Sequence, residues 1–245
     1  MLSRHRHSAA RRWGARSVSL AFIVAATTTL VGQRSTPLGP SAPPPDIAAR
    51  FRSRAAEPLT SYRARRHLEA HNPRFGKDGW MDVMTELRPD RSFAYSVIAQ
   101  GGSDIVRTRV FDAALEAERD LLRDAKAAAL DETNYQFQPA GEERGYAKIA
   151  LIPKRKDRFL INGWMFVTPA DADLREVRGR MTKSPSFWTS QVDVVRRYER
   201  VCGHRVPIET QSTAAVFLGG TSTFVMRYDY LMVNGVVVTR DRCQP

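Results

Sequence analysis

The 245 residues suffice for one sizeable domain or two small ones, and an apolar share of 42% with 26% charged residues is that of a globular chain. Lysine and arginine total 38 against 26 acids, a formal net charge of +12. These values exclude an acidic tail, a multi-span membrane protein and a cysteine-rich miniprotein, and they do not call for a nucleic-acid partner.

The charge is unevenly spread. Residues 1–32 hold Arg4, Arg6, Arg11, Arg12 and Arg16 without an acid, and the run from Ser17 to Gly32 carries no charge. A basic start followed by a short apolar run is the pattern of a secretory signal. The run is shorter than the roughly 20 apolar residues that a spanning helix needs. An uncleaved anchor is the alternative, because neither Val24-Ala25-Ala26 nor Leu30-Val31-Gly32 makes a clean cleavage site. Residues 33–45 contain five prolines and no periodicity, the composition of an extended tether. The folded domain is expected over 46–245.

Within it, a short helix is expected over Asp46–Ala56. Two-residue alternation then predicts strands near 61–71, 79–88 and 92–100. Gly101-Gly102-Ser103-Asp104 breaks that pattern. Val110, Phe111, Ala114, Leu115, Leu121, Leu122 and Ala125 follow at three- and four-residue spacing, which predicts an amphipathic helix over 104–130 with Ser103 as its cap. Alternation resumes in strands near 145–154, 157–168, 173–183, 187–201, 205–217 and 222–233, with a short one near 236–240. The fold class is therefore mainly β: a curled antiparallel sheet, an incomplete β-barrel, with a long helix inserted after the third strand as lid or plug. A sheet of that many strands tends to curl, and the helix stripe Phe111, Leu115 and Leu122 would meet the face shared by Phe224, Met226, Tyr228, Tyr230 and Met232.

Cys202 and Cys243 form either one bridge or two free thiols. An exported chain allows the bridge, and its loop of about 42 residues would contribute about 4 kcal/mol on the chain-entropy model. Neither cysteine has a CxxC or histidine neighbour of the kind that redox or zinc sites use.

The stretches Ile152–Asp157 (IPKRKD), Gly179–Thr189 (GRMTKSPSFWT), Val194–Glu209 (VVRRYERVCGHRVPIE) and Met226–Gly235 (MRYDYLMVNG) resemble the outer-membrane lipoprotein-sorting proteins, the LolA/LolB-like superfamily of bacterial periplasmic carriers. The resemblance covers about residues 60–235 and is to a branch other than the lipoprotein carrier itself. It implies an incomplete barrel lidded by helices, with an apolar cavity that accepts acyl chains.

Catalytic chemistry finds no motif. There is no G-x-S-x-G, no phosphate-binding loop and no G-x-G-x-x-G, so no catalytic residue, cofactor or metal is expected. His67 and His71 stand four apart, as zinc ligands do on a helix. In a strand that spacing is about 13 Å, too far for one ion. Phe111, Leu115, Leu122, Trp164, Phe166, Phe187, Trp188, Phe224, Met226, Tyr228 and Tyr230 would either line an acyl cavity or fill a core. Lys154, Arg155 and Lys156, and Arg196, Arg197 and Arg200, would meet anionic headgroups or an acidic partner, or lie on a solvated sheet face. The function expected is an exported, periplasmic, non-enzymatic carrier of a lipid or lipidated protein. Its partners would be an acyl chain and a membrane or envelope protein, with no nucleic acid. A tethered interaction or sensor domain of the same fold is the alternative, and a periplasmic hydrolase a more distant one.

Overall fold

The computed structural model describes residues 46–54, 58–184, 189–216, 219–239 and 243–244, all within one compact unit spanning Pro44–Pro245. The expected signal and tether, residues 1–45, lie outside the described residues, as do Phe187 and Trp188.

After a short helix α1 (Ile47–Arg52) come β1 (Tyr62–Asn72), β2 (Lys77–Leu87) and β3 (Phe93–Gly102). Beyond the insertion come β4 (Tyr135–Glu143), β5 (Tyr146–Pro153), β6 (Ile161–Val167), β7 (Leu174–Met181), β8 (Thr189–Val201), β9 (His204–Val216) and β10 (Gly220–Val233), then the short β11 (Val236–Val238) and β12 (Cys243–Gln244). All pairings are antiparallel, in the order β3-β2-β1-β10-β9-β8-β7-β6-β5-β4, and the sheet does not close.

That order explains the helix. β1 to β3 and β4 to β10 are each runs of consecutive hairpins, joined where β1 pairs β10. The chain therefore leaves the sheet at one edge, β3, and re-enters at the other, β4. The segment between them crosses as a 20-residue helix α2 (104–123), in which Arg107–Phe111 form a wider π turn. A 3-10 turn, Ala125–Ala128, follows. The helix is shorter than expected, because Asp124 leaves helical geometry at φ −126°, ψ 70°. Ser103 holds the N-cap position without a side-chain capping bond; the start is set instead by Ser103 N–H donating to the Asp78 carbonyl at 2.7 Å.

Two strands escaped the sequence pattern, β4 and the two-residue β12. Pro139 and Gly141 interrupt the alternation of β4, yet β4 is an edge strand, where a proline's missing N–H leaves no neighbour unpaired. The pairing with β5 shifts between Pro139 and Glu142.

Three hairpins turn on two residues that both have positive φ: Arg144-Gly145 (54° and 79°), Cys202-Gly203 (50° and 83°) and Asn234-Gly235 (48° and 83°). Such turns match the right-handed twist of the strands. Cys202 is disulfide-bonded to Cys243 with a Cα–Cα distance of 5.5 Å, so the bridge exists and ties β12 to the β8–β9 turn. Asn234 fastens the entry to β1: its Oδ1 accepts from Thr60 N at 2.8 Å and Ser61 N at 3.0 Å, and its Nδ2 donates to the Pro58 carbonyl at 2.9 Å.

Alternation gives the sheet two unlike faces. The inner face, covered by the helices, carries two apolar cores. One lies beneath α2 and joins Phe111 and Leu115 to Tyr62, Leu68, Met226 and Tyr230. The other lies beneath α1 and joins Ala48 and Phe51 to Ile149, Leu151, Met165 and Val177. The outer face carries alternating charges from strand to strand. Arg178 pairs with Glu143 and Glu176, and Arg197 with Glu176 and Glu209. Arg227 then links Glu209 to Glu69, and His67 links Glu69 to Asp82. Among the described residues no helix is long and apolar enough to cross a membrane.

Candidate functional site

The inner face is a register problem solved strand by strand. Residues opposite each other across an antiparallel pair share a face. Arg66 faces Tyr228, Leu68 faces Met226 and Ala70 faces Phe224 between β1 and β10. Met226 then faces Thr210, and Thr210 faces Arg196, which faces Val177. The row thus runs from the core beneath α2, through a polar band, to the core beneath α1.

Seven expected site residues meet beneath α2. Phe111, Leu115, Met226 and Tyr230 are buried in that core, and Leu122, Phe224 and Tyr228 pack at its margin. Phe111 lies against Phe224 with ring centroids 6.2 Å apart, and both Phe111 and Leu115 are fully buried. In this closed arrangement side chains occupy the space between helix and sheet.

Trp164 and Phe166 do share a face, but it is the outer one, away from α2. Met165 and Val167 take the inner positions of β6 and are fully buried. Trp164 remains 41% exposed, with Lys148 Nζ 4.7 Å from its ring centroid, and Phe166 lies under Arg178 at 4.6 Å. Alternation gives the pairing of faces but not their sign, and the continuous apolar run of residues 164–167 leaves that sign open in the sequence.

Sequence reasoning missed the polar centre of the site. The Arg66 side chain, fully buried in the middle of β1, reaches α2. Its Nη2 donates to Glu118 Oε1 at 2.7 Å and to Tyr62 Oη at 2.6 Å, while Nη1 pairs with Glu118 Oε2. Tyr62 Oη in turn donates to Glu118 Oε1 at 2.8 Å. The guanidinium carbon lies 4.6 Å from the Tyr228 ring centroid and 5.6 Å from those of Tyr62 and Phe93. Burial works against the Arg66 charge, but the Glu118 carboxylate outweighs it and raises the arginine's pKa. Burial likewise works against the charge on Glu118, and Arg66 outweighs it and lowers that pKa. Both groups are ionised, and the helix is latched to the sheet. Its one sequence signal is an arginine at an inner-face parity in β1, beside the apolar Ala64 and Leu68.

The basic runs separate. Lys154 Nζ donates to the Glu132 carbonyl, and Arg155 bonds Asn134 Oδ1 and the Ala127 carbonyl, so both hold the segment that enters β4. Lys156 is exposed. Arg197 belongs to the outer-face charges, and Arg200 donates to buried Asp173 at 3.1 Å. Arg196 points inward, where its Nε donates to Thr210 Oγ1 at 3.2 Å.

A cleft of about 780 Å³ opens between α1 and residues 130–133. Its guanidiniums are already paired, Arg52 with Glu132 at 2.9 Å and Arg205 with Asp173 at 2.6 Å. His67 and His71 stand in β1 beside separate carboxylates, Asp82 and Asp78. Among the described residues no cluster of three metal-ligating side chains occurs.

No family model matches the chain, and no curated protein matches it. Among solved structures it is similar to a DUF1329 family protein from Desulfovibrio piger, with 12% identity, a TM-score of 0.39, and 75% of this chain and 88% of that one covered. It is also similar to a LolA superfamily protein from Nitrosomonas europaea, with 9% identity, a TM-score of 0.36, and 75% and 90% covered. The MucA/MucB complex of Pseudomonas aeruginosa matches at 10% identity and a TM-score of 0.21, with 75% and 91% covered. The superfamily that the sequence resembles is thus among these likenesses. At such scores none of them carries a function to this chain.

Proposed function

We propose that this chain is an exported, non-enzymatic binder of a lipid or lipidated protein, taking an acyl chain between α2 and the inner sheet face. Residues 1–32 serve export or remain as an anchor, and 33–45 are the tether. The observation that supports this reading is the mounting of α2. It crosses the sheet from edge to edge, meets it through the apolar Phe111 and Leu115, and is held in its C-terminal half by the Arg66–Glu118 pair. Lifting α2 would free the apolar surface of Met226 and Phe224. A chain taking that place offsets the exposure at roughly 0.8 kcal/mol per buried methylene. Release then belongs at a membrane or an envelope protein that accepts the chain, and the site as described calls for no nucleic acid.

The test is mass spectrometry of the protein purified gently from its native envelope, first native and then denatured. A cleaved chain carrying an acyl-sized mass is the expected result. A ligand-free chain that keeps residues 1–32 goes against the carrier and in favour of a tethered interaction domain.

A further inference from the structure

The polar band between the two inner cores holds more positive charge than its acids balance. Arg196 lies on the inner face by register, between Thr210 on β9 and Val177 on β7. Thr210 Oγ1 stands 3.4 Å from Tyr228 Oη, and the Tyr228 ring packs on Arg66. Two guanidiniums therefore share this band with Glu118, whose oxygens are both engaged by Arg66 and Tyr62. Among the described residues no carboxylate oxygen comes within 4.0 Å of Arg196; it bonds the Thr210 hydroxyl, and Tyr198 and the more distant Glu118 also favour its charge. Its neighbours along β8 differ, for Arg197 has Glu209 and Arg200 has Asp173.

A cation held against a protein interior with no carboxylate in contact is costly, and an anion bound directly to it reduces that cost. Arginine's planar fork suits the paired oxygens of a carboxylate or phosphate. We infer that Arg196 anchors the anionic end, a carboxylate or phosphate, of a single-chain amphiphile whose chain enters beneath α2. The inference rests on the acyl-binding reading above and adds the chemistry of the ligand's polar end. Thr210, beside Arg196, supplies a hydroxyl to the same anion. From there the chain's way is toward Met226 and Phe111, so head and tail meet unlike surfaces along one row.

The test is calorimetric titration of the full chain with laurate, dodecyl phosphate, methyl laurate and inorganic phosphate. Methyl laurate keeps the chain but carries no charge. Laurate and dodecyl phosphate are expected to bind about tenfold or more tighter than methyl laurate, the scale of a hydrogen-bonded charge. Arg196→Gln should shrink that margin to within about twofold, and Arg196→Lys, which keeps the charge but loses the fork, should retain only part of it. Equal binding of the three amphiphiles to the unaltered chain, or an undiminished margin in R196Q, overturns the anchor while leaving acyl binding intact. Inorganic phosphate binding as tightly as dodecyl phosphate overturns the amphiphile and leaves a free-anion site. No binding by any amphiphile overturns both the anchor and the acyl-binding reading. Should R196Q fail to fold, R196K decides, since an undiminished margin there overturns the anchor.

Discussion

Asp173, just before β7, has a side chain only 1% exposed. It accepts from Arg205 at 2.6 Å and from Arg200 at 3.1 Å, with Arg54 at 3.7 Å. Burial pushes its pKa up, but the bonds and charge of Arg205 and Arg200 bring it below the usual carboxylate value. A carboxyl whose pKa is lower folded than unfolded stabilises above about pH 4 and loses that contribution as pH falls through the folded value. Asp173→Asn is therefore predicted to cost about 2–3 kcal/mol at pH 7, since hydrogen-bonded arginines lose their counter-charge. The cost should shrink from pH 7 toward pH 2, as the native carboxyl begins to take up a proton too. Urea unfolding at both pH values checks this, and an equal loss at each would refute it. His67 has the opposite sign. Its bond to Asp82 raises its pKa, burial opposes, and Glu69 adds to the rise. That stabilisation is complete below about pH 6.5 and disappears as pH climbs through the raised native value. His67→Gln should then lower Tm more at pH 6 than at pH 9; an identical difference at the two would show that the ring's titration is not linked to folding.

The elements were more legible than their faces. The three- and four-residue spacing around Phe111 and Leu115 defined α2, and alternation located ten of the strands to within a few residues. Alternation alone does not say which side is inside, so the sequence pairs Trp164 with Phe166 without showing that Met165 and Val167 hold the inner side. Arg66 and Glu118 were hidden for a related reason. In a chain with 38 bases, the only local mark of this arginine is its parity with Ala64 and Leu68, and its partner lies 52 residues away. The junction of β3 with α2 was legible, because two successive glycines there have a physical cause. Gly102 has φ +82°, and a Cβ on it would stand 2.3 Å from the Asp78 carbonyl oxygen. Gly102→Ala is predicted to cost at least about 2 kcal/mol, the strain of a left-handed non-glycine plus the clash. Its measurable sign is a reduced midpoint in urea with the same slope, and a midpoint equal to the unaltered chain's would mean that the junction can shift freely.

At the scale of the whole unit, helix and sheet are held by different means. Each inner strand of the sheet has hydrogen-bonded neighbours on both sides, and the outer-face charges tie one strand to the next. The helix is attached at a few points. Its start bonds the Asp78 carbonyl, and its last turn receives Arg91 Nε at the Leu122 carbonyl (3.0 Å) and Arg158 at Asp120 (2.8 Å). Between them stand the apolar contacts and the Arg66–Glu118 pair. The Arg91 and Arg158 bonds are exposed and therefore weak. Local opening follows the least-buried cooperative unit, so α2 should open while the sheet stays folded. Glu118→Ala tests this directly. It leaves the fully buried Arg66 guanidinium without its carboxylate, a loss of about 3 kcal/mol, and that loss should fall on the helix. Amide hydrogen exchange is then expected to speed up about 100-fold over residues 112–123, with the amides of β8 and β9 little changed, 1.4 kcal/mol being a factor of ten. A uniform acceleration through helix and sheet would mean that α2 opens only when everything unfolds. A helix of that kind is a plug in the core, and no acyl chain enters beneath it.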